Sequence, residues 1–288
     1  MEEMIQIFLN SLVLSANYIL LAVGLTLIFG ILTTLNFAHG TLYVVGGYVV
    51  YTLFNMMGLN YFLAMVAASI MVAGLGLLLE GAILYPLKDK MFLSPIGAII
   101  GAGMIMEGVL AFIYKGDDVA IGSFLRGVVS IFGATVSLER LIVVVVCGLI
   151  MLGVYIWIQK TKQGIAIRAL AENAKVANMQ GINTRFIRFL VMGIACGLAA
   201  LAGSIVAPLF YINPYLGGSV VMKALLVVAV GGMGSIEGSI LAGLLIGFVE
   251  TIGVTYIGSI AEVVSFLVVI AIFIFRPQGL LGVKYEFH

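Results

Sequence analysis

Few residues in this chain have side chains able to do chemistry, and most of those lie inside or beside long apolar runs. Glu107 and Glu250 fall well within such runs. A carboxylate there costs roughly 2.5–3.5 kcal/mol on insertion scales, so each is expected to face protein, water or a basic partner. With His39 they are the set from which a proton or cation relay would be built. Asn36, His39 and Gly40 follow the Gly-flanked run Gly24-Leu-Thr-Leu-Ile-Phe-Gly30. They suit a capped helix start with a tight turn as well as they suit a polar point on a path through the membrane. Gly231-Gly-Met-Gly-Ser-Ile-Glu-Gly238 is glycine-rich but lacks the Lys-Ser/Thr pair and strand-to-helix setting of a phosphate cradle. Lying between two apolar segments, Gly231, Gly232 and Gly234 are expected to expose backbone groups to a cavity or hinge. Glu237 would complement the dipole of the next helix. Lys223 and Glu262, nearer segment ends, are expected to snorkel or to lie at the interface. No nucleophile–base pair adjoins any of these groups, and Cys147 and Cys196 read as buried thiols with no ligand spacing around them.

The elements that must hold these residues are dictated by composition. Of 288 residues 63% are hydrophobic and 9% charged, far from the balance of a soluble domain. Net charge is +1, which leaves no basic field for nucleic acid. Nine runs approach the length that crosses a bilayer: 5–31, 40–57, 61–85, 93–114, 141–159, 189–210, 220–233, 237–257 and 260–275. The expected fold is therefore an all-α polytopic bundle, one domain over 1–288. It has about nine spans, or eight if the short 220–233 run is a half-helix. Small residues one turn apart at Gly97/Gly101, Gly193/Gly197, Ala199/Gly203, Ser239/Gly243 and Gly243/Gly247 should let helices approach closely.

Orientation follows from basic residues. The start, Met1-Glu2-Glu3-Met4, lacks a signal peptide's basic region, so the first span is expected to be retained. With an external N-terminus and nine crossings, ten of the fourteen Lys and Arg residues fall in internal loops, and the C-terminus is cytoplasmic. Lys115, Arg126, Arg140 and Lys223 fall outside. The loop near 115–140 is then external. The polar segment Lys160–Arg188 is internal, and its run of strong helix formers between Gly164 and Gly181 predicts a short cytoplasmic helix. Arg168, Glu172 and Lys175 would pair charges along one face of it. Such a helix is either an amphipathic element resting on the membrane or a peg for a soluble partner.

At these residues the chain resembles a known family, the LivH-type permease subunits of ABC importers for branched-chain amino acids. The matching blocks are Gly24–Gly30, Asn36-Phe-Ala-His-Gly40, Arg168-Ala-Leu-Ala-Glu172 with Met179-Gln-Gly-Ile182, Gly231-Gly-Met-Gly234 with Glu237-Gly238, and Arg276-Pro-Gln-Gly-Leu280. The resemblance implies a cell-membrane transport subunit, not an enzyme. It would work with a second homologous permease, two cytoplasmic ATPase subunits that bind ATP and Mg, and an extracytoplasmic solute-binding protein. No cofactor would be bound by this chain. Residues 164–181 would be the coupling helix, with Arg168, Glu172 and Gly181 as the positions carried over. Relatives that share these blocks also carry urea, short amides or other amino acids. The contrasting class is an ion-coupled carrier or channel using Glu107, Glu250 and His39.

Overall fold

A computed structural model describes residues 2–131 and 133–282. Among these, all nine apolar segments are helical. The chain runs α1 (Glu2–Leu32), α2 (His39–Val50), α3 (Tyr61–Leu79), α4 (Tyr85–Leu87) and α5 (Leu93–Tyr114). An antiparallel hairpin, β1 (Val128–Ile131) and β2 (Ala134–Ser137), follows. Then come α6 (Leu138–Lys160), α7 (Lys162–Glu172), α8 (Ala174–Met179), α9 (Thr184–Val206), α10 (Gly217–Gly231), α11 (Ile236–Ile257) and α12 (Ala261–Phe275). Wider π-type turns continue α2 through Met56 and join α3 to α4. Five of these helices start where a side-chain oxygen caps free backbone N–H groups: Asn60, Thr161, Asn173, Asn183 and Ser235.

Among the described residues seven helices are long and apolar enough to cross a membrane, including Pro214–Gly231, so the 220–233 segment is a full-length helix with its 3-10 lead-in. The protein is a multi-pass membrane protein. The last apolar helix has only 15 residues. The second departs from the expected crossing more sharply. His39 lies against Leu21 and Gly24 of α1, and Leu21 is eleven residues, about 16 Å of helix, before the end of α1. Gly40 packs on Gly217 and Val221, at the start of α10. Residues 33–38 therefore turn back into the bundle without helix, and α2 begins in its interior. Thr33, at φ +51°, makes the reversal.

Helix α1 lies at the centre, with Leu20, Val23 and Ile28 fully enclosed. Glycines set its neighbours' distances. Gly243 and Gly247 of α11 sit on Ile19 and Ser15, leaving no room for a Cβ. Gly203 of α9 abuts the Tyr43 backbone, and Gly197 faces Ser69 of α3. The small-residue pairs thus meet neighbours as expected, except Gly97 and Gly101, where an added Cβ would meet no described atom beyond its own turns of helix within 4 Å.

Candidate functional site

One end of the bundle carries the hairpin, the loop that precedes it and two adjoining cavities. Val119 bridges to Ile212, and Asn213 Nδ2 donates to Asp118 Oδ1 at 2.7 Å, which ties that loop to the approach to α10. Beneath it lies a cavity of about 330 Å³ between α1, α2, α9, α10 and α11. A second, about 380 Å³, shares Leu14, Asn17, Val206, Phe210 and Glu250 with the first. On the wall of the second, Arg140 Nη1 donates to Asn10 Oδ1 at 2.7 Å.

Lys223 and Glu250 converge here. Lys223 Nζ reaches Glu250 Oε1 at 2.5 Å and Glu262 Oε1 at 3.7 Å. The Tyr18 hydroxyl donates to Glu250 Oε2 at 2.6 Å. Lys223 therefore does not snorkel as expected. Its α10 position, nearly two turns after Gly217, aims it across at α11, where a buried carboxylate demands a cation. Sequence reading flagged Glu250 but had no signal joining it to Lys223, 27 residues earlier.

Asn36 and His39 stand deeper. Both are buried, at 1% and 0% exposure. Asn36 Oδ1 accepts from Ala38 N at 3.1 Å, so Asn36 shapes the turn that starts α2. His39 Nε2 lies 3.2 Å from the Leu21 carbonyl, a contact that requires the proton on Nε2, while Nδ1 has no partner among the described residues. Gly40 allows the close crossing of α2 on α10. Glu107 is half-buried on α5 and forms no hydrogen bond among the described residues. The relay set thus shares no hydrogen-bond partner among its three members. Among the described residues no three His, Cys, Asp or Glu side chains gather to hold a metal ion.

The glycine-rich break lies at the opposite end and is packed, correcting the expected cavity or hinge. Leu280 N donates to Val230 O at 2.7 Å, and Leu281 N to Gly231 O at 3.1 Å. The segment after α12 thus satisfies carbonyls that the end of α10 leaves free. Gly232, at φ +99°, is pressed against Leu281 and Gly282, and Gly279 lies on the other side of the same turn. Gly231 meets the Gly238 backbone, whereas Gly234 and Glu237 are exposed. The blocks at 231–238 and 276–280 are one interlocked unit.

Beside this end lies the segment expected to be one helix. It is two, because Asn173 leaves helical geometry and its side chain caps Lys175 N and Val176 N, both at 3.1 Å. Ile167 and Leu170 of α7 and Ala177 of α8 are buried, while Glu172, Lys175, Val176 and Met179 are exposed. Arg168 does not pair with Glu172. Its Nη1 donates to Ile158 O at 2.8 Å and Gln159 Oε1 at 2.6 Å, fixing α7 to the end of α6. Gly181, at φ +82°, closes α8, with Ile182 N donating to Ala177 O. At the start of α9, Arg188 Nε donates to Glu80 Oε1 at 2.8 Å, a pair absent from the sequence expectations. Glu80 lies in the wider turns after α3, a position that helical periodicity alone misplaces.

Residues 7–275 match the family described as "Branched-chain amino acid transport system / permease component". The chain is 34% identical to the high-affinity branched-chain amino acid transport system permease protein BraD of Pseudomonas aeruginosa, covering 96% of this chain and 95% of that one. It is 31% identical to the permease protein LivH of Escherichia coli, with the same coverage. Its fold is like that in the solved structure of PsaBC from Streptococcus pneumoniae in complex with Fab, at TM-score 0.50 and 15% identity, covering 92% of this chain and 89% of that one. With a bundle of apolar helices and family blocks running from α1 to the segment after α12, the chain belongs to the branched-chain amino acid transport system permease family.

Proposed function

We propose that this chain is the membrane-spanning subunit of an ATP-driven importer for branched-chain amino acids in the cytoplasmic membrane. It works beside a second homologous permease and two cytoplasmic ATPase subunits that hold ATP and Mg, and receives substrate from an extracytoplasmic binding protein. It carries no cofactor and no catalytic residue of its own. The observation that supports this reading most is the family match along nearly the whole chain.

In this reading α7 and α8 lie on the cytoplasmic side, and their exposed Glu172, Val176 and Met179 meet an ATPase subunit. Arg168 and Gly181 hold the two ends of that surface in place. The hairpin end, with its cavities, opens outward, and the N-terminus lies outside. Asn36, His39 and Gly40 on the broken helix, and Glu250 beside the cavities, border the passage. Glu107 and the 231–237 turn lie further from it. ATPase closure would move α7 and α8, and through them α6 and α9, shifting the permease between two openings.

The test is leucine uptake in proteoliposomes holding this chain, its partner permease and the ATPases, with the binding protein outside. Uptake should require ATP and the ATPase subunits. Accumulation by this chain alone, driven by an ion gradient, would overturn the reading.

A further inference from the structure

The charges at Lys223 do not balance. One ammonium serves two carboxylates, Glu250 at 2.5 Å and Glu262 at 3.7 Å. The second oxygen of Glu250 is held by the Tyr18 hydroxyl, so this carboxylate keeps a fixed direction. Asn17 Oδ1, on the same wall, is buried and has no hydrogen-bond partner among the described residues. A buried acceptor left unpaired is costly, and Glu262, its side chain 56% exposed, adds a second negative charge beside the pair. Both favour the same kind of visitor, a group that donates several hydrogen bonds and carries positive charge.

The ion pair also borders open space instead of packed side chains. The cavity beside it, about 330 Å³, is in the range of small-molecule sites, roughly 300–1,000 Å³. Leu14, Leu21, Val206 and Phe210 give its remaining wall an apolar surface. We propose that Lys223, Glu250, Tyr18 and Asn17 form a station for the α-amino zwitterion within this permease, an inference that rests on the importer reading. The substrate carboxylate takes the Lys223 ammonium. Its own ammonium is received by Glu250 and by Asn17 Oδ1, while Tyr18 keeps Glu250 in place. The aliphatic side chain lies on Leu14, Leu21 and Val206. One ion pair is exchanged for two, with no net charge brought in, so the substrate crosses without stranding a buried charge.

The experiment uses the detergent-solubilised complex of both permeases and both ATPases, without the binding protein, and saturation-transfer NMR, which reads weak ligands. The probes are L-leucine, leucinamide, which lacks the carboxylate, and 4-methylpentanoate, which lacks the ammonium. L-leucine should bind better than either analogue by about ten-fold or more, the worth of one hydrogen bond to a charged group. Lys223→Met should abolish the preference over leucinamide, and Glu250→Gln the preference over 4-methylpentanoate. The double variant strands no buried charge, so it should still co-purify with the ATPases, with its L-leucine signal reduced to that of the analogues. Asn17→Leu, which leaves the ion pair intact, should weaken L-leucine several-fold. Retained preference in these variants, or no leucine preference in a wild-type complex that takes up leucine with ATP, overturns the station alone. Zwitterion preference without ATP-driven uptake overturns the importer reading instead.

Discussion

Arg188 Nε donates to Glu80 Oε1 across 2.8 Å, joining the second turn of α9 to the wide turns after α3. Glu80 is fully buried, and its other oxygen has no partner among the described residues. Removing the guanidinium leaves a buried carboxylate without its hydrogen-bonded cation. Arg188→Leu should therefore destabilise the protein by about 3–5 kcal/mol. Arg188→Leu with Glu80→Leu should recover most of that loss. Thermal unfolding in detergent measures both, and equal losses in the two variants would mean the pair is not what holds this joint.

Arg168 and Glu172 should separate on substitution, although four residues apart. Arg168→Ala removes the bonds to Ile158 O and Gln159 and loosens the α6–α7 corner. It should lower both thermal stability and co-purification with the ATPase subunits. Exposed Glu172 touches nothing that Glu172→Lys would break, so that change should weaken ATPase association alone. A fall in stability with Glu172→Lys would contradict this division.

Gly232→Val meets two obstacles, a positive φ worth about 1–3 kcal/mol for a side chain that resists it and the backbone of Leu281 and Gly282. The expected result is release of the segment after α12, seen as faster hydrogen exchange at the amides of Leu280 and Leu281. Slow exchange at both in the variant would place the segment's anchor elsewhere.

Gly247→Ala and Gly101→Ala test which small residues carry packing. A methyl at 247 would press on the Ser15 backbone and should cost about 1–3 kcal/mol. At 101 it meets no described atom beyond its own turns of helix within 4 Å, so the change should be neutral or gain up to about 1 kcal/mol from helix propensity. Thermal melts of the two variants should differ accordingly.

The helices were legible because lipid leaves the chain little choice: a run of apolar residues long enough to cross must be helical to pair its backbone. All nine runs became helices for that reason. Where the reading failed, tertiary contact decided. The start of α2 lies inside the bundle because Gly24 and Gly40 leave room for His39 and for α10, and no local pattern marks depth. Asn173 splits the 164–181 segment because its side chain offers α8 a cap, which charge spacing cannot reveal. Lys223 and Glu250 each stood out as costly, but their meeting depends on how α10 lies against α11. The glycines at 231–234 and 279 both looked like breaks, and neither showed that it was half of the other.

That last junction links two stretches of chain that are made at different times. Val230 and Gly231 leave the ribosome some fifty residues before Leu280 and Leu281 arrive to donate to their carbonyls. Until α11 and α12 have both been inserted, the end of α10 has no closing partner, so nascent chains halted in that interval carry an unfinished helix terminus at the membrane surface. Quality-control proteases should meet a vulnerable substrate there.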